Sequence, residues 1–152
     1  MRNQILAIVK LEAPDLIASI SKLPSKGILK TNLHNLTYLN IDDAYIHQSF
    51  PFLTDKQANK PDYFSDNKNF IGAHISVIYP EEQTLCDRSY LSREYDFSIE
   101  GLFSTFIDEK KYYALKVIAP QLTAIRQAAD LPAKPCYKNY LVDLHITIGN
   151  SL

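Results

Sequence analysis

The sequence predicts an α+β fold with a mainly antiparallel sheet, and three observations carry that expectation. Two apolar runs, around His74 and around His145, alternate strictly between apolar and polar residues, as half-buried strands do. Four successive charged residues, Asp108, Glu109, Lys110 and Lys111, separate two strand-like stretches and mark a hairpin loop. Two segments with apolar residues at helical spacing lie between prolines, which both open and close helices. Strands joined by hairpins and interspersed with helices place the chain in the α+β class.

Taken in order, residues 5–9 read as a short strand, followed by a boundary at Ala13, Pro14 and Asp15. Leu16, Ile17, Ile20 and Leu23 then recur at helical spacing, with Pro14 just inside the start and Pro24 at the stop, which predicts an amphipathic helix over residues 16–23. Residues 33–53 are rich in aromatic and branched side chains and are strand-biased. Asn59, Pro61, Asp62, Ser65, Asp66, Asn67 and Asn69 make residues 57–69 a polar loop that leads into the first histidine strand. Pro80, Glu81 and Glu82 suit a helical turn, since proline and acidic side chains favour a helix start. Residues 97–107 and 112–118 form the arms of the hairpin. Leu122, Ile125, Ala128 and Ala129, between Pro120 and Pro132, give the clearest helix, over residues 121–131. Arg126 falls on its polar side and is expected on a solvated face. A loop rich in proline, lysine and tyrosine, residues 132–139, delivers the chain into a strand over residues 140–148.

At 152 residues the chain is expected to form one domain, 1–152, large enough to bury a core without staples. A hydrophobic fraction of 46%, a charged fraction of 22% and a mean hydropathy of -0.17 fit a soluble globular protein. A net charge of -1 with pI near 6.4 argues against coating duplex DNA, which needs a dense basic surface. No apolar stretch approaches a membrane span, and the first residues lack the hydrophobic run and cleavage site of a signal peptide, so a soluble cytoplasmic protein with no membrane partner is expected. Cys86 and Cys136 are the only cysteines and have neither Cys-x-x-Cys nor zinc spacing, so both read as plain thiols.

The chemistry lies in two near-identical strings, Ala73-His74-Ile75-Ser76-Val77 and Leu144-His145-Ile146-Thr147-Ile148. Residues two apart on a strand share a face, so each string presents an imidazole and a hydroxyl together. Ile71, Ala73, Ile75 and Val77 share one parity, and Gly72, His74 and Ser76 the other. In the second strand Tyr140, Val142, Leu144, Ile146 and Ile148 oppose Asp143, His145 and Thr147. Both histidines therefore project away from an apolar stripe.

Two imidazoles facing one phosphodiester divide the labour, one drawing a proton from water and the other protonating the departing oxygen. The hydroxyls of Ser76 and Thr147 are placed to donate to non-bridging phosphate oxygens, and the scheme needs no metal and no cofactor. A single histidine beside a hydroxyl on a strand is ordinarily a surface or satisfied core residue. Two matching strings, each with correct alternation, outweigh that reading; His34 and His47 have no such setting. Asp143 is explained as well by solvent exposure as by orienting His145, and stays outside the catalytic set. A metal-dependent hydrolase with histidine ligands is the competing enzyme reading, and the scarcity of carboxylates near either motif counts against it.

The pair His74-Ile75-Ser76-Val77 and His145-Ile146-Thr147-Ile148 resembles the His-x-Thr/Ser-x motifs of the two-histidine (2H) phosphoesterase superfamily. That superfamily includes 2'-5' RNA ligase-like proteins and RNA 2',3'-cyclic phosphodiesterases. The order of strand, hairpin, helix and strand is also similar, and the resemblance covers about half the chain, residues 70–150. It implies a bilobal fold in which two mainly antiparallel sheets related by pseudo-twofold symmetry flank a central groove, with helices outside. It further implies metal-independent phosphodiesterase activity on a 2',3'-cyclic phosphate, a 2'-5' linkage or a similar nucleotide diester, with His74, Ser76, His145 and Thr147 in the catalytic positions. The implied partners are a nucleotide, cyclic nucleotide or RNA-end substrate, bound by a monomer.

A non-catalytic nucleotide- or RNA-binding module of the same fold is the alternative, and the intact histidine pair argues against it. Tyr137 and Lys138, in the loop before the second motif, are candidate substrate contacts, to stack on a base and to meet a phosphate. Few residues follow the second motif where many members of the superfamily continue, so the N-terminal segment around residues 5–9 is expected to supply the remaining elements, unless they are absent.

Overall fold

The computed structural model describes residues 4–61 and 71–151. Strands β1 (Gln4–Ile5), β2 (Ile8–Leu11), β3 (Lys26–Thr31), β4 (Thr37–Asn40), β5 (His74–Ile78), β6 (Glu94–Asp96), β7 (Ser98–Ile107), β8 (Lys110–Ile118), β9 (Cys136–Tyr137), β10 (Tyr140–Leu141) and β11 (His145–Ser151) are accompanied by helices α1 (Pro14–Ile20), α2 (Ala44–Ser49) and α3 (Pro120–Ala128). They build two four-stranded antiparallel sheets, ordered β11-β8-β7-β2 and β5-β4-β3-β6, and a small sheet ordered β1-β10-β9. The class is α+β, as expected.

Each histidine strand is the edge of its sheet, and the two edges, β5 and β11, touch each other. Helix α2 follows β4 in the chain yet packs on β11, while α3 follows β8 and packs on β5 and β6. Each helix thus covers the sheet it did not come from, which ties the two halves into one core. Ile75 and Val77 of β5, Ile146 and Ile148 of β11, Leu122 and Ile125 of α3, and Ile46 of α2 all lie in it, at most 2% exposed. These are the apolar parities that the alternation assigned to the core.

Several element boundaries differ from the sequence expectation for local reasons. Helix α3 ends at Ala128 instead of reaching residue 131, because Asp130 adopts φ 60° and the amides of Asp130 and Leu131 return to the carbonyls of Gln127 and Arg126. This is a Schellman stop with aspartate in the left-handed position. The hairpin turn is two residues long, not four: Asp108 and Glu109 both have positive φ, and Ile107 pairs with Lys110. Residues 132–139, expected as a loop, contain β9, and Lys138 and Asn139 form a second turn of the same kind between Tyr137 and Tyr140. The strand-biased stretch 33–53 holds β4 but also α2, whose Tyr45 is buried with its hydroxyl donating to Pro24 O at 2.9 Å. Strands β3 and β6 had no clear sequence signal. The polar loop at residues 57–69 lies outside the described residues beyond Pro61, so Asp62, Ser65, Asp66, Asn67 and Asn69 are not described, nor is residue 70, where the resemblance begins.

The N-terminal segment joins the second motif's half of the fold. Strand β2 extends the β11 sheet at its far edge by pairing with β7, and β1 pairs in parallel with β10. The end of β11 is also pinned from residues 55–59: Asn59 and Asn150 exchange backbone hydrogen bonds, and the Asp55 carboxylate accepts from the hydroxyls of Tyr113 (2.8 Å) and Ser151 (3.3 Å).

Arg126 is the main correction. It is fully buried and does not lie on a solvated face. It stands one helical turn from Leu122, on the face of α3 that enters the core. Its Nε donates to Pro132 O (2.8 Å), Nη1 to Val77 O and Glu82 Oε1 (2.8 Å each), and Nη2 to Glu82 Oε2 (2.7 Å) and Lys134 O (3.0 Å). All the N–H donors of a guanidinium are thereby used. A buried arginine is tolerable only when so completely paired, because an unpaired buried charge costs several kcal/mol. Replacing Arg126 by methionine leaves the Glu82 carboxylate buried without its cation, and should lower unfolding stability by about 3–5 kcal/mol in a urea titration followed by circular dichroism.

Candidate active site

Between the two sheets lies a cleft with a cavity of about 400 Å³, and His74, Ser76, His145 and Thr147 all line it. Strand parity placed each pair on one face; the tertiary fold brings the two faces together. The two histidines have the same local anchoring. His74 Nδ1 lies 2.8 Å from Gly72 O, and His145 Nδ1 lies 2.7 Å from Asp143 O. A carbonyl oxygen can only accept, so Nδ1 carries the proton in each ring, and in the neutral form Nε2 is the basic nitrogen. Each ring also meets an aromatic partner edge to face: Tyr38 for His74, at 5.7 Å and 80°, and Phe103 for His145, at 6.3 Å and 76°.

The Gly72 carbonyl is aimed by an unusual backbone. Gly72 has φ +71°, a left-handed conformation that side-chain-bearing residues rarely adopt, and a Cβ there would stand 2.4 Å from Asp43 Oδ1. The same oxygen of Asp43 accepts from Ala73 N at 2.9 Å, fixing the entry into β5. On the other side it is the Asp143 main-chain carbonyl that orients His145; the Asp143 carboxylate pairs instead with Lys134 (3.3 Å) and Lys116 (3.9 Å).

Both rings resist protonation. Burial drives His74 down to about 4; the Gly72 hydrogen bond opposes this, and the nearby His145 adds to it. His145 is also lowered by burial, opposed by its contacts with Asp143. The free cleft therefore holds two neutral imidazoles at neutral pH. Because the charge of a protonated His145 acts on His74, a proton on one ring discourages a proton on the other.

An aromatic wall completes the cleft. Tyr79, Tyr112 and Tyr137 all line it. The Tyr79 and Tyr137 rings lie 4.9 Å apart at 39°, the Tyr79 hydroxyl hydrogen-bonds Ser76, and the hydroxyls of Tyr112 and Tyr137 hydrogen-bond each other. Burial raises all three phenols. Tyr137 is held there by the turn that follows it, whose amides, at Lys138 and Asn139, donate to the Glu81 carboxylate at 2.6 and 3.4 Å. Of the two substrate-contact candidates, the structure thus brings Tyr137 into the cleft and leaves Lys138 outside its lining. The Lys138 ammonium lies over the Tyr137 ring at 5.4 Å and pairs with Asp108 at 3.8 Å.

Three lining residues had little sequence signal. Asn150 faces the cleft because the pairing of β11 with β8 slips between Thr147 and Gly149, a bulge that turns Asn150 onto the face of His145 and Thr147. Tyr112 is followed by Tyr113, and letters alone do not tell which of the two faces inward; Tyr113 points the other way, to Asp55. His34, exposed at the turn between β3 and β4, also lines the cavity.

A family model of the Swiss Army Knife 2H phosphoesterase domain matches residues 37–151. The chain belongs to the 2H phosphoesterase family. The match takes in both histidine strands, the hairpin and α3, and starts at the first residue of β4, well before the stretch in which the motif resemblance was visible. At family level a 2H phosphoesterase domain carries a phosphodiesterase-type function. No curated protein and no solved structure matches the chain. Among the described residues, this 2H phosphoesterase has no helix long and apolar enough to cross a membrane.

Two expectations follow from the site. In an NMR titration both motif histidines should titrate below the ordinary imidazole value of 6.5, with His74 near 4. His145→Ala should move the His74 midpoint upward, because a source of repulsion is removed. Since the unfolded chain takes up these protons near 6.5 and the folded one only below it, stability should fall as pH is lowered through that window, read as a declining Tm. Separately, Gly72→Ala should cost about 1–3 kcal/mol of stability through backbone strain. It should also lower turnover by displacing the carbonyl that aims His74, a loss measured on whichever phosphodiester the wild type cleaves.

Proposed function

We propose that the protein is a metal-independent phosphodiesterase that hydrolyses a nucleotide or RNA phosphodiester, a 2',3'-cyclic phosphate or a 2'-5' linkage, by paired-histidine acid–base catalysis. The observation that carries this reading is the matched anchoring of His74 and His145, each donating Nδ1–H to a main-chain carbonyl and each lining one cleft. Such anchoring fixes the tautomer and leaves Nε2 of each ring to exchange protons with substrate.

In the proposed reaction a neutral imidazole accepts a proton from water as the water oxygen attacks phosphorus. The opposite ring, protonated, gives its proton to the oxygen that leaves, and the bond from phosphorus to that oxygen breaks. Protonation of one ring is helped by the substrate itself: the phosphodiester anion offsets the desolvation that keeps both rings neutral in the free cleft. Ser76 and Thr147 donate to the non-bridging oxygens, where charge grows at the transition state. The equivalence of the two anchors leaves the direction of the relay to be set by the substrate's orientation.

The proposed steps use only side chains of the protein and call for no metal. Among the described residues, no three histidine, cysteine, aspartate or glutamate side chains are grouped to hold an ion. The proposed substrates are small or single-stranded, in keeping with a cleft of about 400 Å³ and a net charge of -1. The proposal takes the protein to act as a monomer in the cytoplasm.

A panel of nucleoside 2',3'-cyclic phosphates, 2'-5' dinucleotides and RNA ends should reveal at least one substrate turned over in excess chelator. His74→Ala and His145→Ala should each reduce turnover on the order of 10²–10⁴-fold. Activity abolished by chelator would instead support a metal hydrolase, and tight binding with no turnover a recognition module. With both imidazoles below 6.5, kcat/KM should peak in weakly acidic solution and decline as pH rises through neutrality, because the protonated partner is then lost.

A further inference from the structure

Beyond the two histidines, the cleft continues along the face shared by β11, β8 and β7. Alternation along β8 turns Lys110, Tyr112 and Ala114 onto this face, and all three line the cavity. Ala114 pairs with Thr147, Tyr112 with Asn150, and Lys110 with Ile107 at the hairpin end. At a rise of about 3.4 Å per residue, Tyr112 lies about 7 Å and Lys110 about 14 Å beyond the row of Thr147. Moving outward from the scissile position, the track therefore offers a hydroxyl, then an aromatic ring beside a side-chain amide, then a cation.

The charge along this track is one-sided. The chain has 17 acidic residues, yet no carboxylate lines the cavity among the described residues. Asp108, in the turn next to Lys110, pairs with Lys138 instead. Among the described residues no carboxylate pairs with Lys110, whose ammonium rests 5.6 Å from the centroid of the Tyr112 ring. A cation at the end of an apolar cleft, with no carboxylate paired to it among the described residues although Glu109 precedes it in the chain, is placed to act on an anion within the cleft.

We propose that this track is a second anion subsite, in which Lys110 binds a phosphate one nucleotide away from the scissile diester while the intervening base lies against Tyr112. The inference rests on the reading of the cleft as a phosphodiester site. Lysine suits the task, because its ammonium is a compact point charge on a long stem and can meet a phosphate without a fixed fork geometry. A basic residue beside an aromatic platform is also the arrangement that holds single-stranded nucleic acid without reading its sequence. The substrate class is therefore a nucleotide with a second phosphate. That phosphate comes either from a 5'-phosphate on a mononucleotide or from the next linkage of an oligonucleotide end.

Three ligands separate these sources: a nucleoside 2',3'-cyclic phosphate, the same compound with a 5'-phosphate, and a dinucleotide ending in a 2',3'-cyclic phosphate. The wild type should favour one or both of the last two over the first by at least tenfold in kcat/KM, chiefly through KM. Preference for both assigns the subsite to the phosphate group itself, and preference for the dinucleotide alone assigns it to a chain linkage. Lys110→Met should collapse that ratio to near one, and Lys110→Arg should restore most of it. The preference should also weaken as salt is raised.

Equal rates on all three ligands, or a ratio unchanged in Lys110→Met, would overturn the subsite while leaving the hydrolysis intact. The same ligands titrated calorimetrically into His145→Ala read the preference as a ratio of Kd values without turnover. A chain that cleaves none of them but still shows a Lys110-dependent preference would keep the subsite and overturn the chemistry.

Discussion

The buried guanidinium of Arg126 is the joint on which the cleft depends. It sits on α3, the helix that follows β8 of one sheet, and it reaches Val77 O near the end of the histidine strand β5 in the other. Through Val77 O it holds the end of β5; through Glu82 it holds the turn after Tyr79, whose amide donates to Glu82 Oε1 at 3.0 Å; through Pro132 and Lys134 it holds the segment that brings in Tyr137. The neighbouring Glu81 completes the clamp from below by accepting from Lys138 and Asn139. One side chain thereby ties the end of β5 to the segments that carry Tyr79 and Tyr137, whose tilted rings lie 4.9 Å apart. Such a buried pair need not add net stability compared with an apolar substitute. Its consequence here is geometric, since each acceptor belongs to a segment that shapes the site.

The same economy appears at the imidazoles. Main-chain carbonyls orient both rings, and neither ring relies on a carboxylate for its tautomer. A carboxylate accepting from Nδ1–H would favour the imidazolium strongly, whereas the hydrogen bond to a neutral carbonyl favours it too weakly to offset burial, and the rings stay uncharged. In the proposed mechanism the free cleft keeps two bases, and the entering phosphodiester anion supplies the field that allows one of them to become an acid. Exclusion of acidic side chains from the lining belongs to the same electrostatic arrangement, and the nearby carboxylates of Asp108, Asp143 and Glu82 are all consumed in pairs with lysine or arginine.

Irregular backbone places much of what the regular elements cannot. The left-handed Gly72 aims a carbonyl, the bulge after Thr147 turns Asn150 inward, and the two-residue turns at residues 108–109 and 138–139 fix where Lys110 and Tyr137 begin and end their strands. Positive φ at Asp108, Glu109, Lys138 and Asn139 matches the right-handed twist of the flanking strands, so these turns are short and their registers unambiguous. The bulge also ends the simple alternation of β11 at the point where the 55–59 segment pins it.

By itself the sequence determined the local facts: that His74 with Ser76 and His145 with Thr147 share faces opposite an apolar stripe, that a hairpin and a proline-bounded helix lie between them, and that the class is α+β. These follow from periodicity, which is a property of neighbouring residues and survives folding unchanged. Only the tertiary structure decided that the two faces meet, that Arg126 is buried, and that Tyr79, Tyr112 and Asn150 join the cleft while Lys138 does not. The physical reason is the same in each case. Whether an arginine is solvated or buried depends on acceptors gathered from distant segments, here at Val77, Glu82, Pro132 and Lys134, and no local pattern announces their convergence. A register slip such as that between Thr147 and Gly149 is equally invisible in the letters, because it is defined by the partner strand.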